Sequence, residues 1–255
     1  MKLGDFTKLA KAYINRPAYS DLIVSALLKY VEYNKKIDFK VADIGAGTGK
    51  FTKVLSEKRL KVFSVEPNDA MRLEGTQYTH GFDVAWSTGS GEKTGLGNNS
   101  VDWVVMASSF HWTDPNKSLP EFHRILKPGG YFTAIWNPRD IEKSELHLKI
   151  EKIIHEMAPN MQRVSSGSKL HAKNWENILI STKHFKDVIF MECDHEEIMS
   201  KERYLGIWNS VNDMRAQAGE NSWEKIIKAI AEEIKNLDKI CVPYKMRAWT
   251  AQRIE

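Results

Sequence analysis

Val41-Ala42-Asp43-Ile44-Gly45-Ala46-Gly47-Thr48-Gly49-Lys50 decides how this chain is read. Four mostly apolar residues run into glycine at every second position. A short apolar run stopped by glycines reads as a buried strand entering a tight turn, and Phe51 to Lys58 follows as a helix. Glycine there lets the backbone turn sharply and lets a ligand approach the main chain closely. The spacing is GxGxG, because Lys50 stands where GxGxxG requires its third glycine. The P-loop spacing is absent.

Working outward, Leu60 to Val65 is a second short strand, closed by Glu66-Pro67. From Gly49 to Glu66 is 17 residues, close to the roughly 20 expected for a carboxylate that accepts hydrogen bonds from both hydroxyls of a ribose. Strand, glycine turn, helix, strand and terminal acid together favour nucleoside binding over an ordinary glycine-rich turn. Which nucleoside-bearing cofactor is meant stays open at this level.

The same rhythm continues. Asn68 caps a helix to Glu74, Asp83 to Trp86 is a third strand, and VDWVVMA (101–107) is a fourth, apolar on both faces. Pro115 to Leu126 is helical and stops at Lys127-Pro128-Gly129-Gly130; Tyr131 to Trp136 is the fifth strand. Before the first strand, Asp5 to Tyr33 reads as helical, with Pro17 in a first turn. Strands alternating with helices predict βαβ units, a doubly wound parallel sheet and ligands at the carboxyl ends of its strands. After Asn137 the rhythm breaks. Helices are expected over 142–157, 174–182, 200–218 and 223–235, and strands over 188–193 and 244–250. The expected organisation is therefore an α/β, mostly parallel seven-stranded sheet with an inserted helical lid. Residues 1–137 form the N-terminal helices and cofactor-binding core, 138–183 and 200–236 the lid or substrate region, and 184–199 and 237–255 the closing strands.

Composition narrows the function classes. The formal net charge is +4, with Lys interleaved with Asp and Glu; without a basic stripe, nucleic acid is not an expected partner. Cys193 and Cys241 form no CxxC pair, so neither a metal site nor a disulfide framework is expected. The first residues contain no apolar signal core, and no apolar stretch reaches the roughly 20 residues of a membrane span. A cytoplasmic protein without membrane partners is expected; the oligomeric state is open.

VADIGAGTGKFTKVL resembles motif I of the class I S-adenosylmethionine-dependent methyltransferases. The resemblance continues through FSVEPNDAM, STGSGEKTGLGNNSVDWV and HRILKPGGYF, over about residues 40 to 136. ASSFHWTDPNKSLPEFHRILKPGG with IWNPRD, and YINRPAY near the start, is similar to the small-molecule, trans-aconitate-type (type 11) subgroup. The resemblance implies a Rossmann-like fold, S-adenosyl-L-methionine as cofactor and a small-molecule methyl acceptor. Carried over by position, it implies that Gly45, Ala46, Gly47 and Gly49 contact the methionine and adenosine parts. Asp43 orients the amino-acid portion, Glu66 with Pro67 holds the ribose, and Met71 packs on adenine. Ser90, Gly91 and Glu92 lie where an Asp-Ala-Glu-like run is usual, with Ser90 departing from the pattern, and Ala107 and Ser108 face the methionine end.

Methyl transfer needs position and water exclusion, and a general base only when the acceptor keeps its proton. His111 follows the fourth strand and is the candidate base; the plain alternative is that it packs with Trp112 at a helix start. Trp136, Asn137 and Arg139 end the fifth strand, where Arg139 can grip a carboxylate as a fork or simply pair with Asp140. Arg16 is a candidate for the cofactor's carboxylate, and Tyr13, Tyr19 and Trp208 are candidate aromatic walls for a sulfonium or amine. Two other function classes stand beside this one. A nicotinamide-dependent oxidoreductase shares the fold and Glu66 but lacks GxGxxG, and a non-catalytic S-adenosylmethionine-binding module works through a partner.

Overall fold

A computed structural model describes residues 5–33, 38–162 and 174–255. Expectations for 1–4 and 163–173, the latter within the anticipated insertion 138–183, lie outside the described residues. Its strands are β1 (Lys40–Ile44), β2 (Lys61–Val65), β3 (Val84–Ser87), β4 (Val101–Ala107), β5 (Leu126–Trp136), β6 (Phe185–Met199) and β7 (Ile240–Arg253). Its α-helices are α1 (Ala10–Tyr13), α2 (Asp21–Tyr30), α3 (Lys50–Glu57), α4 (Asp69–Tyr78), α5 (Pro115–Ile125), α6 (Glu145–Met157), α7 (Trp175–Ile180), α8 (Lys201–Asn209), α9 (Asn212–Ala218) and α10 (Glu220–Glu233).

The chain divides into two units. The sheet unit comprises Ala18–Trp136, Ala172–Cys193 and Met246–Glu255, and the helical unit comprises Met1–Pro17, Asn137–His171 and Asp194–Lys245. The seven strands run in the order β3-β2-β1-β4-β5-β7-β6. The pairs among β1 to β5 are parallel, whereas β7 is antiparallel to β5, from Tyr131↔Gln252 to Trp136↔Arg247. The sheet is therefore the mixed, mostly parallel α/β arrangement that the strand–helix alternation predicts.

Alternation along β4 explains its apolar sequence. Val104 and Met106 pack into one core with Phe110, Phe122 and Phe132, and Val101 joins them across the irregularity between Val101 and Trp103. Trp103 and Val105 pack into the other with Leu27, Phe51 and Leu55. A strand covered by helices on both faces has no polar side to show. The indole N–H of Trp103 is satisfied within the sheet, donating to Thr133 Oγ1 at 2.8 Å.

Where the observed elements depart from the expected ones, local chemistry explains it. The segment 5–33 is not one helical stretch: α1 ends at Tyr13 and α2 starts after Ser20. Pro17 lies in the break rather than in a first turn, since proline biases its predecessor out of the helical region. The expected helix 200–218 divides into α8 and α9, because Val211 is extended (φ −81, ψ 108) between them. Ser210 Oγ also takes the Ile207 carbonyl at 2.6 Å. Lys127–Gly130 do end a helix, but they also form an irregularity at the start of β5. The register with β4 slips there, and Gly129 has φ +71. The helical unit has its own core of Ile150, Ile154, Ile207, Trp208, Trp223, Ile226, Ile230 and Val242, from α6, α8, α10 and β7.

Candidate active site

The site of the sheet unit is assembled from β1 upward. Asp43 shares the face of Val41, which packs against Phe51 and Leu55 of α3, so it points beneath the helix that follows the glycine turn. There Thr52 Oγ1 donates to Asp43 Oδ2 at 2.6 Å and lies 3.0 Å from Ser64 Oγ. All three side chains are fully buried. Asp43 Oδ1 has no hydrogen-bond partner among the described residues. Burial, with the nearby Glu66 charge, pushes the Asp43 carboxyl up to about 7 against the hydroxyl bond from Thr52.

Above Asp43 the turn runs through left-handed backbone at Gly45 (φ 68), Gly47 (φ 58) and Gly49 (φ 75). The N–H groups of Gly45 and Ala46 both donate to Val65 O, at 2.8 and 3.2 Å, which ties the turn to the end of β2. A side chain at Gly45 would meet Ser109 at 2.8 Å, whereas one at Gly47 would meet only the Met71 methyl at 3.4 Å. The open side of the turn is thus at Gly47, floored by Met71.

Glu66 sits beside that opening. Its Oε2 accepts from Gly47 N at 2.9 Å and its Oε1 from Asn68 N at 2.8 Å. Each carboxylate oxygen keeps lone pairs for a further donor. Burial raises the Glu66 carboxyl above its ordinary range, while the two N–H bonds and the Arg72 charge oppose the rise. Arg72 holds the same residue from its carbonyl side, Nη1 to Glu66 O at 3.0 Å. Pro67 follows, exposed, before Asn68 caps α4 on Met71 N.

Ser90 Oγ accepts from the N–H groups of Glu92 and Lys93, both at 3.3 Å, so its side chain closes a turn. Glu92 Oε1 accepts from Asp114 N at 3.0 Å. Gly91 is buried against Thr113, where a Cβ would approach within 2.6 Å. Ala107 ends β4, and Ser108 follows with φ +56, an uncommon backbone for serine that clusters at functional sites. The Tyr19 hydroxyl is 3.5 Å from Ser108 Oγ, and the Tyr19 ring meets Phe51 edge-on at 4.8 Å.

His111 stands in a short 3-10 turn, Phe110–Trp112. The Trp136 indole N–H donates to its Nδ1 at 3.2 Å, and the Trp112 ring lies 4.8 Å away. A neutral imidazole accepting at Nδ1 carries its proton on Nε2. The side chain is therefore arranged as a donor, with the nitrogen a base would use already engaged. Trp136 is itself stacked on Trp175 at 4.4 Å.

The remaining candidates lie in the helical unit. Arg16 Nη2 donates to Ser210 O at 3.0 Å, and its Cζ is 4.8 Å from the Tyr13 ring. Asn137 Oδ1 meets His195 Nε2 at 2.7 Å. The Arg139 guanidinium lies 3.9 Å over the Trp208 ring. Sequence reasoning passed over Thr52, Ser64, Ser109 and Arg72. Thr52 carries a readable signal, a hydroxyl one turn into the helix that follows an acid-glycine turn; the other three act through contacts across the fold. Among the described residues no cluster of three or more His, Cys, Asp and Glu is suited to a metal ion, and no helix is long and apolar enough to cross a membrane.

Comparison with known proteins bears on the family and the fold. Residues 42–134 match the family of methyltransferase domains, and this segment is a methyltransferase domain of the class I, S-adenosylmethionine-dependent kind. An uncharacterized methyltransferase of Mycobacterium bovis is 43% identical over 101 residues, 40% of this chain and 41% of that protein. The chain thus matches about two fifths of that relative's length. A provisional type II methyltransferase from Anaeromyxobacter dehalogenans superimposes with TM-score 0.65 at 21% identity, over 93% of this chain and 97% of that one. Phosphoethanolamine N-methyltransferase 2 of Haemonchus contortus, solved with phosphomonomethylethanolamine and S-adenosylhomocysteine, gives TM-score 0.54 at 16% identity over 98% and 58%. At these identities the two structures establish a shared fold.

Proposed function

We propose that the protein transfers a methyl group from S-adenosyl-L-methionine to an oxygen, nitrogen or carboxylate of a small-molecule acceptor. The observation that carries this reading is Glu66, whose two carboxylate oxygens accept from Gly47 N in the glycine turn and from Asn68 N. That pair of acceptors suits the two ribose hydroxyls, and the Met71 floor suits an adenine. The residues fit the cofactor, whose sulfonium supplies the methyl group when bound. What this chain's residues supply is position. Glu66 grips the ribose, the turn lets the backbone close on the ligand, and Asp43, held by Thr52 beneath that turn, orients the amino-acid end. His111 is held in place by the Trp136 indole N–H at Nδ1, the nitrogen that would otherwise withdraw a proton.

The finer likeness to trans-aconitate-type enzymes rests on Tyr13, Arg16, Pro17 and the segment 107–139. Acceptor recognition is assigned to residues 138–183 and 200–236, which carry Arg139 and Trp208, with 1–137 as the cofactor-binding part and 184–199 and 237–255 completing the sheet. The test is calorimetric titration with S-adenosylmethionine, S-adenosylhomocysteine, NAD and NADP, followed by a methyl-labelled acceptor screen. Micromolar binding of the first two alone, with label transferred to a small molecule, is the expected result. Binding of NAD or NADP, or of neither pair, would overturn it.

A further inference from the structure

The acid at the end of β2 is held by a side chain of the helix that follows it. Glu66 N donates to Ser87 O at 3.1 Å, which fixes the strand end against β3. Asn68 then caps α4 through Met71 N. The first turn of α4 carries two neighbouring side chains with separate tasks. Met71 brings its methyl within 3.4 Å of where a Cβ on Gly47 would stand. Arg72 turns back instead: Nη1 donates to Glu66 O at 3.0 Å and Nη2 to Asp69 Oδ1 at 2.6 Å. One planar fork thus ties the backbone that bears Glu66 to the start of the helix, and a lysine ammonium has no such fixed pair of donors.

The same guanidinium acts on the other end of the residue. Glu66 is 7% exposed, and burial raises its carboxyl above the ordinary range. The N–H bonds from Asn68 and Gly47 oppose that rise, and so does the Arg72 charge. The two N–H groups belong to the main chain, whereas Arg72 contributes a full positive charge. The other charged groups at this corner are acidic. Asp69 is bonded to Arg72, and the Asp43 carboxyl of β1 is governed by burial, Thr52 and the Glu66 charge.

The site requires the ionised carboxylate. Oε2 already accepts from Gly47 N and Oε1 from Asn68 N. Two ribose hydroxyls need further lone pairs on those oxygens, and a proton on either one replaces an acceptor with a donor. A nearby cation lowers the pH at which that proton is taken up.

We infer that Arg72 is a positioning residue of the cofactor site, which clamps the Glu66 carbonyl and keeps the Glu66 side chain in place as a charged acceptor for the ribose. The inference rests on the proposed binding of S-adenosylmethionine with Glu66 on its ribose, and Arg72 acts through Glu66.

The test is calorimetric titration of the full chain with S-adenosylhomocysteine between about pH 5 and pH 8, the range in which a raised carboxyl releases its proton. Arg72→Gln keeps a donor for the carbonyl and removes the charge; Arg72→Lys keeps the charge and gives up the fork. Arg72→Gln should weaken binding roughly threefold to tenfold near neutral pH and move the acid limb of the affinity profile to higher pH. Arg72→Lys should return the limb to its parental position while affinity stays below the parent's. In a Glu66→Gln background, adding Arg72→Gln should change affinity by less than about twofold, because the two residues act as one unit. Asp43 titrates in all of these proteins, so its contribution cancels within each pair. An equal loss with and without Glu66→Gln would make Arg72 a merely structural residue and overturn the inference. So would an unchanged acid limb in Arg72→Gln, or a limb displaced as far in Arg72→Lys. A parent chain that does not bind S-adenosylhomocysteine sinks the methyltransferase reading and this inference with it. Parental binding with silent Arg72 substitutions sinks the inference alone.

Discussion

The indole N–H of Trp136 donates to Nδ1 of His111 over 3.2 Å, joining the end of β5 to the turn after β4. That bond assigns the imidazole proton to Nε2 and occupies the nitrogen that general-base catalysis would need. His111→Gln keeps an N–H donor and loses any base, so turnover should fall less than about tenfold. Removal of a true general base costs roughly 10² to 10⁴. The check is kcat against pH for both proteins. A loss of a hundredfold, with the acidic limb of the profile gone, would restore the base role.

Glu66 makes its contacts through both carboxylate oxygens. Glu66→Ala should weaken S-adenosylhomocysteine binding at least tenfold, about 1.4 kcal/mol, as measured by calorimetry. Unchanged affinity would remove Glu66 from the site.

Gly45 combines a left-handed φ of 68 with Ser109 only 2.8 Å from where a Cβ would stand. Gly45→Ala therefore carries a backbone cost of about 1–2 kcal/mol and an overpacking cost of about 1–3 kcal/mol. Its denaturant midpoint should drop accordingly. Adding Ser109→Gly clears the nearest atoms and should recover the overpacking part alone. A double variant no more stable than Gly45→Ala would show that the clash is not what costs.

Two buried groups give stability opposite slopes in pH. Asp43 is raised to about 7 in the fold. Its neutral form is the favoured one, and the stability it contributes is present below its unfolded value near 4 and lost as pH rises towards 7. His147 is depressed to about 4. Its contribution is present above the unfolded value near 6.5 and lost as pH falls to about 4. Asp43→Asn, which still accepts from Thr52, should lessen the decline of stability from pH 4 to 7. His147→Asn should lessen the decline from 6.5 to 4. Unfolding midpoints followed across pH for the two variants check both signs; parallel curves for variant and parent would contradict them.

The glycine turn, its flanking strand and helix, and Glu66 at the end of β2 are all legible in one line of sequence, because each depends on neighbours within about twenty positions. So is the double burial of β4, since an unbroken apolar run needs cover on two faces. The extents of β6 and β7 were less so. Phe185–Met199 alternates partly buried and exposed residues, and charges such as Glu192, Asp194, Glu196 and Glu197 conceal most of its length. The break between α8 and α9 is similarly quiet, because serine and valine mark it without glycine or proline.

By itself, then, the sequence determined where backbone must bend and which acid follows the bend, since torsional freedom and strand period are local properties. Tertiary structure alone decided what each polar side chain does. His111 and Trp136 are 25 residues apart, Asp43 and Ser64 are 21, and Arg139 and Tyr244 are 105. A proton's position, a carboxyl's ionisation and an arginine's company depend on distances in space and on the water excluded between them, and those exist only once the sheet and helices have packed.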